Sequence, residues 1–153
     1  MASYSRKIYF VDAEESLSGK VMGKDASDIE ERSAMALSKL QIPYTFRARI
    51  NPLIGITEER QNIIGEVEID FLCDYFGKLY PINIAGEISH FFTAAQQTRD
   101  MKKEAKINAA LAAFNAHPLV VVPFTQLKTQ AETDRLFRYG FMNGFPQEMF
   151  FAI

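Results

Sequence analysis

Hydrophobic and polar residues alternate regularly over residues 66–71. A period of two residues is typical of a β-strand that buries one of its faces. The apolar side chains on one face are Val67, Ile69 and Phe71, and the acidic side chains on the other are Glu66, Glu68 and Asp70. We therefore predict a strand over residues 63–73, a turn around Gly77 and a second strand over residues 79–88.

Residues 27–41 carry apolar side chains at helical spacing. This stripe consists of Ile29, Ser33, Ala36, Leu37 and Leu40. Ser27 and Glu30 match a capping box, in which each side chain accepts the backbone N–H of the other residue. Helical geometry places Glu30 at the border of the apolar stripe and Glu31 away from it. We predict a helix that Pro43 brings to an end.

A second helix is predicted over residues 93–115. Its predicted apolar face consists of Met101, Ala105, Ala109 and Ala112, with Ile107, Leu111 and Phe114 beside them. Its basic residues, on the opposite side, are Arg99, Lys102, Lys103 and Lys106. The apolar run over residues 118–123 predicts a strand that is covered on both faces, and residues 131–139 predict a short helix.

The remaining segments complete the predicted architecture. Residues 7–11 and 44–50 are strand candidates, residues 19–24 are typical of a loop, and residues 51–62 of a connection or long hairpin. The order of the main elements is helix, three strands, helix, strand, which predicts an α/β fold with a mixed central β-sheet flanked by helices. The 153 residues correspond to a single domain. We expect its core over about residues 27–123, followed by a C-terminal helix and tail over residues 124–153.

Composition narrows the functional classes. The formal net charge of −2 is unlike that of a sequence-independent DNA-coating protein, so nucleic-acid binding would require a local basic patch. The single cysteine, Cys73, excludes an intrachain disulfide and a zinc–cysteine cluster. No signal-peptide pattern and no run long enough to span a membrane is present, so we expect a soluble cytoplasmic protein without membrane contact.

The two predicted strands bring two carboxylates together. Glu87 follows the apolar stretch 82–85, where a carboxylate is costly unless it is paired or bound to a cation. Gly86 allows close backbone approach, and the turn at Gly77 returns Glu87 toward the strand of Asp70. Two such carboxylates could hold a hard divalent cation. The alternative is that the acidic face of the first strand is simply exposed to solvent.

This order of residues resembles the PD-(D/E)XK nuclease superfamily. The motif aspartate would be Asp70, the acidic residue Glu87, and the position of the family lysine Ser89. The layout is similar to that of small phage junction-resolving and very-short-patch-type endonucleases. Their further motif residues would correspond to Ser27, Glu30, Leu37 and Ile42 upstream, and to His90, Asp100 and Lys103 downstream. The resemblance covers residues 27–123 and implies a restriction-endonuclease-like αβββαβ core.

The resemblance implies metal-assisted hydrolysis of phosphodiester bonds in branched or duplex DNA. Asp70, Glu87 and the Ile88 carbonyl would bind Mg²⁺ or Mn²⁺. The catalytic set would be Glu30, Asp70, Glu87, Ser89, His90 and Lys103. Ser89 cannot carry the positive charge of the family lysine, so either Lys78, Lys102 or Lys103 replaces it or the protein does not cut.

Several alternatives stay open at this level. The nucleic-acid-binding set Arg99, Lys102, Lys103 and Lys106 could follow phosphates or form a solvated helix face. His90 is either a neighbour of the metal site or a strand-end residue without a role. His117 is expected to interact with a helix dipole. The aromatic residues after position 138 pack either in the core or against a second copy in a homodimer.

Two other classes of function compete with the endonuclease. One is a catalytically inactive nuclease-fold protein that acts as a nucleic-acid-binding or assembly subunit, which the serine at position 89 favours. The other is an unrelated α/β binding domain whose acidic strand is merely exposed.

Overall fold

The computed structural model describes residues 17–51, 55–59, 61, 66–85 and 94–151, with side chains for all of these except 94–100 and 151. The helices are α1 (Asp28–Lys39), α2 (Ala94–Ala110), α3 (Gln130–Asn143) and α4 (Glu148–Phe151). The strands are β1 (Lys20–Val21), β2 (Lys24–Asp25), β3 (Tyr44–Asn51), β4 (Gly55–Thr57), β5 (Val67–Tyr75), β6 (Lys78–Ala85) and β7 (Val120–Pro123). The described chain contains no helix with the length and apolarity needed to cross a membrane.

A five-stranded sheet with the order β4-β3-β5-β6-β7 organises the described residues. Its first three pairings are antiparallel, and the pairing of β6 with β7 is parallel. The predicted mixed α/β class is therefore confirmed. Strands β3 and β4 form the predicted hairpin, whereas the predicted loop over residues 19–24 is wrong because β1 and β2 pair there around a two-residue turn.

Two apolar clusters lie on opposite faces of the sheet. Leu72 and Cys73 are consecutive in β5, point in opposite directions and belong to different clusters. The α1–α3 cluster unites α1 and α3 with the sheet and includes Leu37, Phe46, Phe71, Cys73, Tyr80, Ile82, Val122, Phe137 and Phe141. The α2 cluster consists of Ala48, Ile50, Val67, Ile69, Leu72, Ile107 and Leu111. The sheet is thus covered by helices on both sides.

The start of α1 follows the predicted capping chemistry. The Ser27 hydroxyl accepts the Glu30 N–H at 3.2 Å, and the Ser27 N–H donates to Glu30 Oε1 at 2.8 Å. Both bonds satisfy donors that have no partner inside the helix. The capping box is confirmed, and it fixes the first turn of α1 next to β3.

The predicted apolar face of α2 is wrong for Met101 and for the three alanines. Met101 is 70% exposed, and Ala105, Ala109 and Ala112 are also exposed. The large side chains of Ile107 and Leu111 are buried against the sheet instead. A methyl group buries little apolar area, so the two larger residues decide which side of the helix packs. Residues 101–106, which precede them, are all exposed.

Strand β7 differs from its prediction in a similar way. It lies at the edge of the sheet, and Val121 is 40% exposed while Val120 and Val122 are buried. The prediction of cover on both faces is therefore wrong. The continuous apolar run reflects one packed face and one exposed valine.

The aromatic residues after α3 pack in the core. Phe141 and Phe145 are buried in the α1–α3 cluster, and their rings contact the Tyr80 ring at centroid distances of 5.2 and 5.9 Å. Tyr139, in contrast, is exposed. The core alternative is confirmed for Phe141 and Phe145, and the homodimer stays a prediction.

Candidate functional site

Asp70 lies where β5 and β6 separate. Their antiparallel register runs from the Tyr75–Lys78 pair to the Phe71–Ile82 pair and stops there. Both strands continue beyond that pair, β5 alongside β3 and β6 alongside β7. The sheet therefore forks at Asp70.

Two side chains occupy the fork. The Asp70 N–H donates to Asn83 Oδ1 at 2.9 Å, and the Ile84 N–H donates to Asp70 Oδ2 at 2.8 Å. The second carboxylate oxygen of Asp70, Oδ1, accepts no hydrogen bond from the described part of the chain. The carboxylate thus reaches between the two strands with one oxygen fixed and the other available.

The opposite neighbour of Asp70 is also irregular. Arg47 on β3 has φ 56°, and the β3–β5 register lacks the pair that it would form with Asp70. A positive φ at a residue other than glycine is uncommon and unfavourable, and such positions cluster at functional sites. Here the left-handed backbone coincides with the fork.

The period of two residues breaks at the same level. Ile69 belongs to the α2 cluster, whereas Phe71 belongs to the α1–α3 cluster on the other face. Phe46 and Ala48 on β3 switch faces in the same way. The prediction that Val67, Ile69 and Phe71 share one face is therefore wrong. The regular alternation in the sequence therefore gives no sign of the fork.

Charged groups from both sides of the sheet act on Asp70. Burial raises the pKa of its carboxyl, and the Ile84 N–H lowers that pKa in opposition. Glu30 from α1 raises the pKa further, Lys103 from α2 lowers it, and Glu68 raises it; the net pKa is above its ordinary value. Three of the residues proposed from the sequence, Glu30, Asp70 and Lys103, thus interact electrostatically.

Glu30 also has a structural role. Its Oε1 accepts the Ser27 N–H in the capping box and lies 3.5 Å from Arg47 Nη2. Glu31, which was predicted to point away from the apolar stripe of α1, is covered by the segment before β1: it is 8% exposed and accepts hydrogen bonds from Ser18 and Gly19. Glu30 is the helix acid that acts on Asp70, while Glu31 anchors the segment before β1.

A groove of about 390 Å³ lies between α2 and the start of β5, and we call it the lysine groove. Its lining residues are Glu66, Val67, Glu68, Lys102, Lys103 and Lys106. Arg49 lies 3.0 Å from Glu68 and 3.9 Å from Glu66, so these carboxylates already face a cation. Among the described residues, no carboxylate oxygen lies within ion-pair distance of the three lysines.

The three candidate replacements for a lysine at position 89 are therefore not equivalent. Lys103 acts on Asp70, and Lys102 lines the groove beside Glu66 and Glu68. Lys78 pairs with Tyr75 at the far end of β5, five residues from Asp70, which corresponds to roughly 17 Å along a strand. Lys78 is not brought to the site.

Several proposed site residues lie outside the described residues. Glu87, Ile88, Ser89 and His90 follow β6, which is described to Ala85. The side chains of Arg99 and Asp100 in α2 are also outside them. Their roles stay predictions. Within the described residues, no three histidine, cysteine or acidic side chains form a group that could hold a metal ion, and Asp70 contributes one carboxylate.

His117 is a structural residue, although not in the predicted way. Helix α2 ends at Ala110, so the expected interaction with its dipole is wrong. The ring nitrogens of His117 lie 2.6 Å from the Pro118 carbonyl oxygen and 3.1 Å from that of Gly144, and the ring stacks on Tyr80. These contacts join the segment before β7 to the end of α3.

Sequence reasoning overlooked Asn83 and the special backbone of Arg47. One signal for Asn83 was present, because an amide interrupts the apolar stretch between Ile82 and Ile84. No signal marked Arg47, since arginine does not favour a positive φ. No family model, curated protein or solved structure matches the chain.

Proposed function

We propose that the chain is a metal-dependent DNA endonuclease of the PD-(D/E)XK type, with a restriction-endonuclease-like core. One observation carries this proposal. The Asp70 carboxylate lies at the fork of the sheet, where Glu30 from one face and Lys103 from the other both influence its charge. Buried acids whose pKa is shifted by specific charged neighbours are candidates for functional groups.

The fork suits a carboxylate that binds a cation. Asp70 Oδ2 is held by the Ile84 N–H, and Oδ1 is left without a hydrogen bond from the described residues. A carboxylate that is held through one oxygen and can offer the other fits the preference of Mg²⁺ and Mn²⁺ for carboxylate ligands. Glu87 and the Ile88 carbonyl would complete the protein's ligands. When bound, the cation would neutralise phosphate charge and acidify the attacking water.

Lys103 is the proposed replacement for the lysine that Ser89 lacks. Its ammonium lowers the pKa of Asp70, which requires that its charge reach the fork. A positive charge there can stabilise the negative charge that develops on the transferred phosphate. Lys103 would supply that charge from α2 rather than from the strand.

The lysine groove supports a nucleic-acid substrate. Arg49 and the three lysines carry four positive charges against the two negative charges of Glu66 and Glu68, so this group of residues has a net positive charge. Phosphate contacts by lysine dominate the affinity of most DNA-binding proteins. A local basic groove also reconciles DNA binding with a formal net charge of −2. We propose that the groove follows the DNA backbone toward Asp70.

A catalytically inactive nucleic-acid-binding subunit is the second candidate. The capping box accounts for Glu30 without any catalytic role. The lysine groove would serve either function equally well. What separates the two candidates is cleavage that depends on Asp70, because an inactive subunit would bind DNA without cutting it.

The test is nicking of supercoiled plasmid and of a branched DNA junction with Mg²⁺ or Mn²⁺. The proposal predicts cleavage by the natural sequence, and a loss of about 100-fold or more in Asp70→Asn and Glu87→Gln, as is typical when a metal-binding group is removed. Asp74→Asn is the matched control. Asp74 is exposed on the same strand, and asparagine retains an acceptor for its hydrogen bond with the Gly77 N–H.

Lys103→Gln should lower the cleavage rate more than Lys102→Gln does, while both weaken DNA binding. DNA binding without any metal-dependent cleavage would favour the inactive subunit. Full activity of Asp70→Asn would contradict the assignment of the site.

A further inference from the structure

Two backbone donors at the fork lack the partners that a regular sheet would give them. In an antiparallel ladder, every second pair exchanges two backbone hydrogen bonds. Continued from the two-residue turn before Lys78, this pattern would direct the Ile84 N–H to the Ile69 carbonyl. It would direct the Asp70 N–H away from β6, toward Arg47. Neither pairing is present in the register.

Side chains satisfy both donors instead. Asn83 Oδ1 accepts the Asp70 N–H, and Asp70 Oδ2 accepts the Ile84 N–H. The Asp70 peptide therefore faces β6 rather than β3, which fits the positive φ of Arg47 and the switch of faces between Ile69 and Phe71. The interruption therefore leaves neither of these two N–H groups without a hydrogen bond.

We propose that Asn83 is the positioning residue of the candidate site. Its side-chain carbonyl holds the Asp70 backbone turned toward β6, and this opens the ladder so that the Asp70 carboxylate enters the fork. The proposal rests on the proposed function in that Asp70 is the acid being positioned. The geometry itself can be tested without any cleavage.

The choice of residue matters at position 83. An asparagine side chain has the length to reach the backbone of the facing strand, and its carbonyl accepts a hydrogen bond without adding charge beside Asp70. Alanine offers no acceptor, so the Asp70 N–H would return to Arg47 and close the ladder. Glutamine retains an uncharged side-chain carbonyl that can accept the Asp70 N–H, which makes Asn83→Gln the conservative variant.

The test is the amide proton shift of Ile84, measured by ¹⁵N-resolved NMR at a fixed neutral pH without metal. A hydrogen bond to a carboxylate is short and strong and moves the amide proton downfield. We expect Asp70→Ala and Asn83→Ala to shift the Ile84 signal upfield by the same amount, with no further shift in the double variant. We expect Asn83→Gln to retain the downfield signal.

An Ile84 signal that stays downfield in Asn83→Ala would overturn the proposal, because the carboxylate would then enter the fork without Asn83. If Asn83→Ala does not fold, Asn83→Gln decides: loss of the downfield signal in the folded variant overturns the proposal. A purely stabilising role would lower the melting temperature of Asn83→Ala without moving this signal away from its natural position.

Cleavage kinetics separate this inference from the proposed function. With a cleaving protein, Asn83→Ala should lower kcat by about 100-fold with a small change in KM, as expected when a reacting group is displaced by about 1 Å. Unchanged kcat in that variant would show that positioning by Asn83 is not needed. The predicted NMR pattern in a protein that never cleaves DNA would retain the geometry and reject the endonuclease.

Discussion

At the scale of single residues, Asp70 combines burial with a single hydrogen bond to its carboxylate from the described residues. Burial raises the pKa of its carboxyl, and one hydrogen bond from the Ile84 N–H only partly opposes this. Because the folded-state pKa is above the unfolded-state value, the folded protein holds the Asp70 proton more tightly. The stability contributed by this group therefore falls as the pH rises between the two values.

Asp70→Asn is consequently expected to stabilise the metal-free protein at neutral pH. Asparagine has the same shape and can accept the Ile84 N–H, but it carries no charge to bury. The gain should disappear below the ordinary pKa of aspartate, where Asp70 is protonated in both states. Thermal unfolding in EDTA at several pH values measures it, and a destabilised variant at neutral pH would contradict the account of Asp70.

Glu31 shows the opposite balance. Burial would raise the pKa of its carboxyl, but hydrogen bonds from the Ser18 N–H, the Gly19 N–H and the Ser18 hydroxyl more than reverse this, so the pKa is lowered. Its bond lengths are 2.7–3.0 Å. A lowered folded-state pKa contributes stability above the unfolded-state value, and that stability is lost as the pH falls through the folded-state value.

Glu31→Gln should therefore lower the free energy of unfolding by about 1–3 kcal/mol at neutral pH. The difference should shrink in acid, where the Glu31 carboxyl is protonated anyway. Urea unfolding at neutral and acidic pH measures both values. Glu58→Gln, an exposed change, is the control. An equal loss at both pH values would show that the charge of Glu31 is not what anchors Ser18 and Gly19.

At the scale of elements, only some of the described side chains of α2 pack against the sheet. Ile107 and Leu111 hold it to the sheet, while Lys102, Lys103 and Lys106 stand across the lysine groove from β5. The basic side of the helix is thus not directed away from the sheet, as a simple two-sided helix would have it. It faces an open groove whose other wall includes Glu68, two residues before Asp70.

If this groove binds the DNA backbone, Lys106→Gln should reduce the salt dependence of binding. Each phosphate contact contributes about 0.9 to the slope of log affinity against log salt concentration. Fluorescence anisotropy with a labelled duplex at several KCl concentrations would show a slope lower by about that amount. Lys128→Gln is the matched control, since Lys128 is exposed next to Leu127 in the α1–α3 cluster. Equal slopes for both variants would exclude the groove as a phosphate-binding surface.

The sequence predicted elements whose signals are local. The capping box of Ser27 and Glu30 marked the start of α1, and residue type and turn position marked β3 and the β5–β6 hairpin. Arg47 could not be predicted, because its left-handed backbone is imposed by the neighbouring strands and not by arginine. The role of Asn83 could not be predicted either, because its hydrogen-bond partner, the Asp70 N–H, lies thirteen residues away in the sequence and is brought close only by the fold.

At the scale of the whole molecule, the sheet separates two helical layers. The segment after α3 packs against the layer that contains α1 and α3. Gly140 in α3 is where that packing is tightest, since a Cβ atom added there would overlap the ring of Phe145. Phe145 is buried and also contacts Tyr80 and Phe141. The small residue at position 140 therefore lets the chain fold back against its own helix.

Gly140→Ala should lower the free energy of unfolding by about 1–3 kcal/mol through overpacking. At an open helical position, the same change would instead add about 1 kcal/mol. Urea unfolding measures the difference, with Arg138→Ala as the exposed control in the same helix. A stabilised Gly140→Ala protein would contradict the packing of Phe145 against α3.

The central claim is that Asp70 at the fork binds a divalent cation next to a phosphate-binding groove. The most direct measurement is paramagnetic broadening of backbone amide signals by substoichiometric Mn²⁺. We expect the amide signals of Asp70, Asn83 and Ile84 to broaden first. Asp70→Asn should abolish this broadening, and Asp74→Asn should retain it. First broadening at amides remote from Asp70, Glu87 and Ile88 in the natural sequence, or unchanged broadening at the Asp70, Asn83 and Ile84 amides in Asp70→Asn, would contradict the central claim.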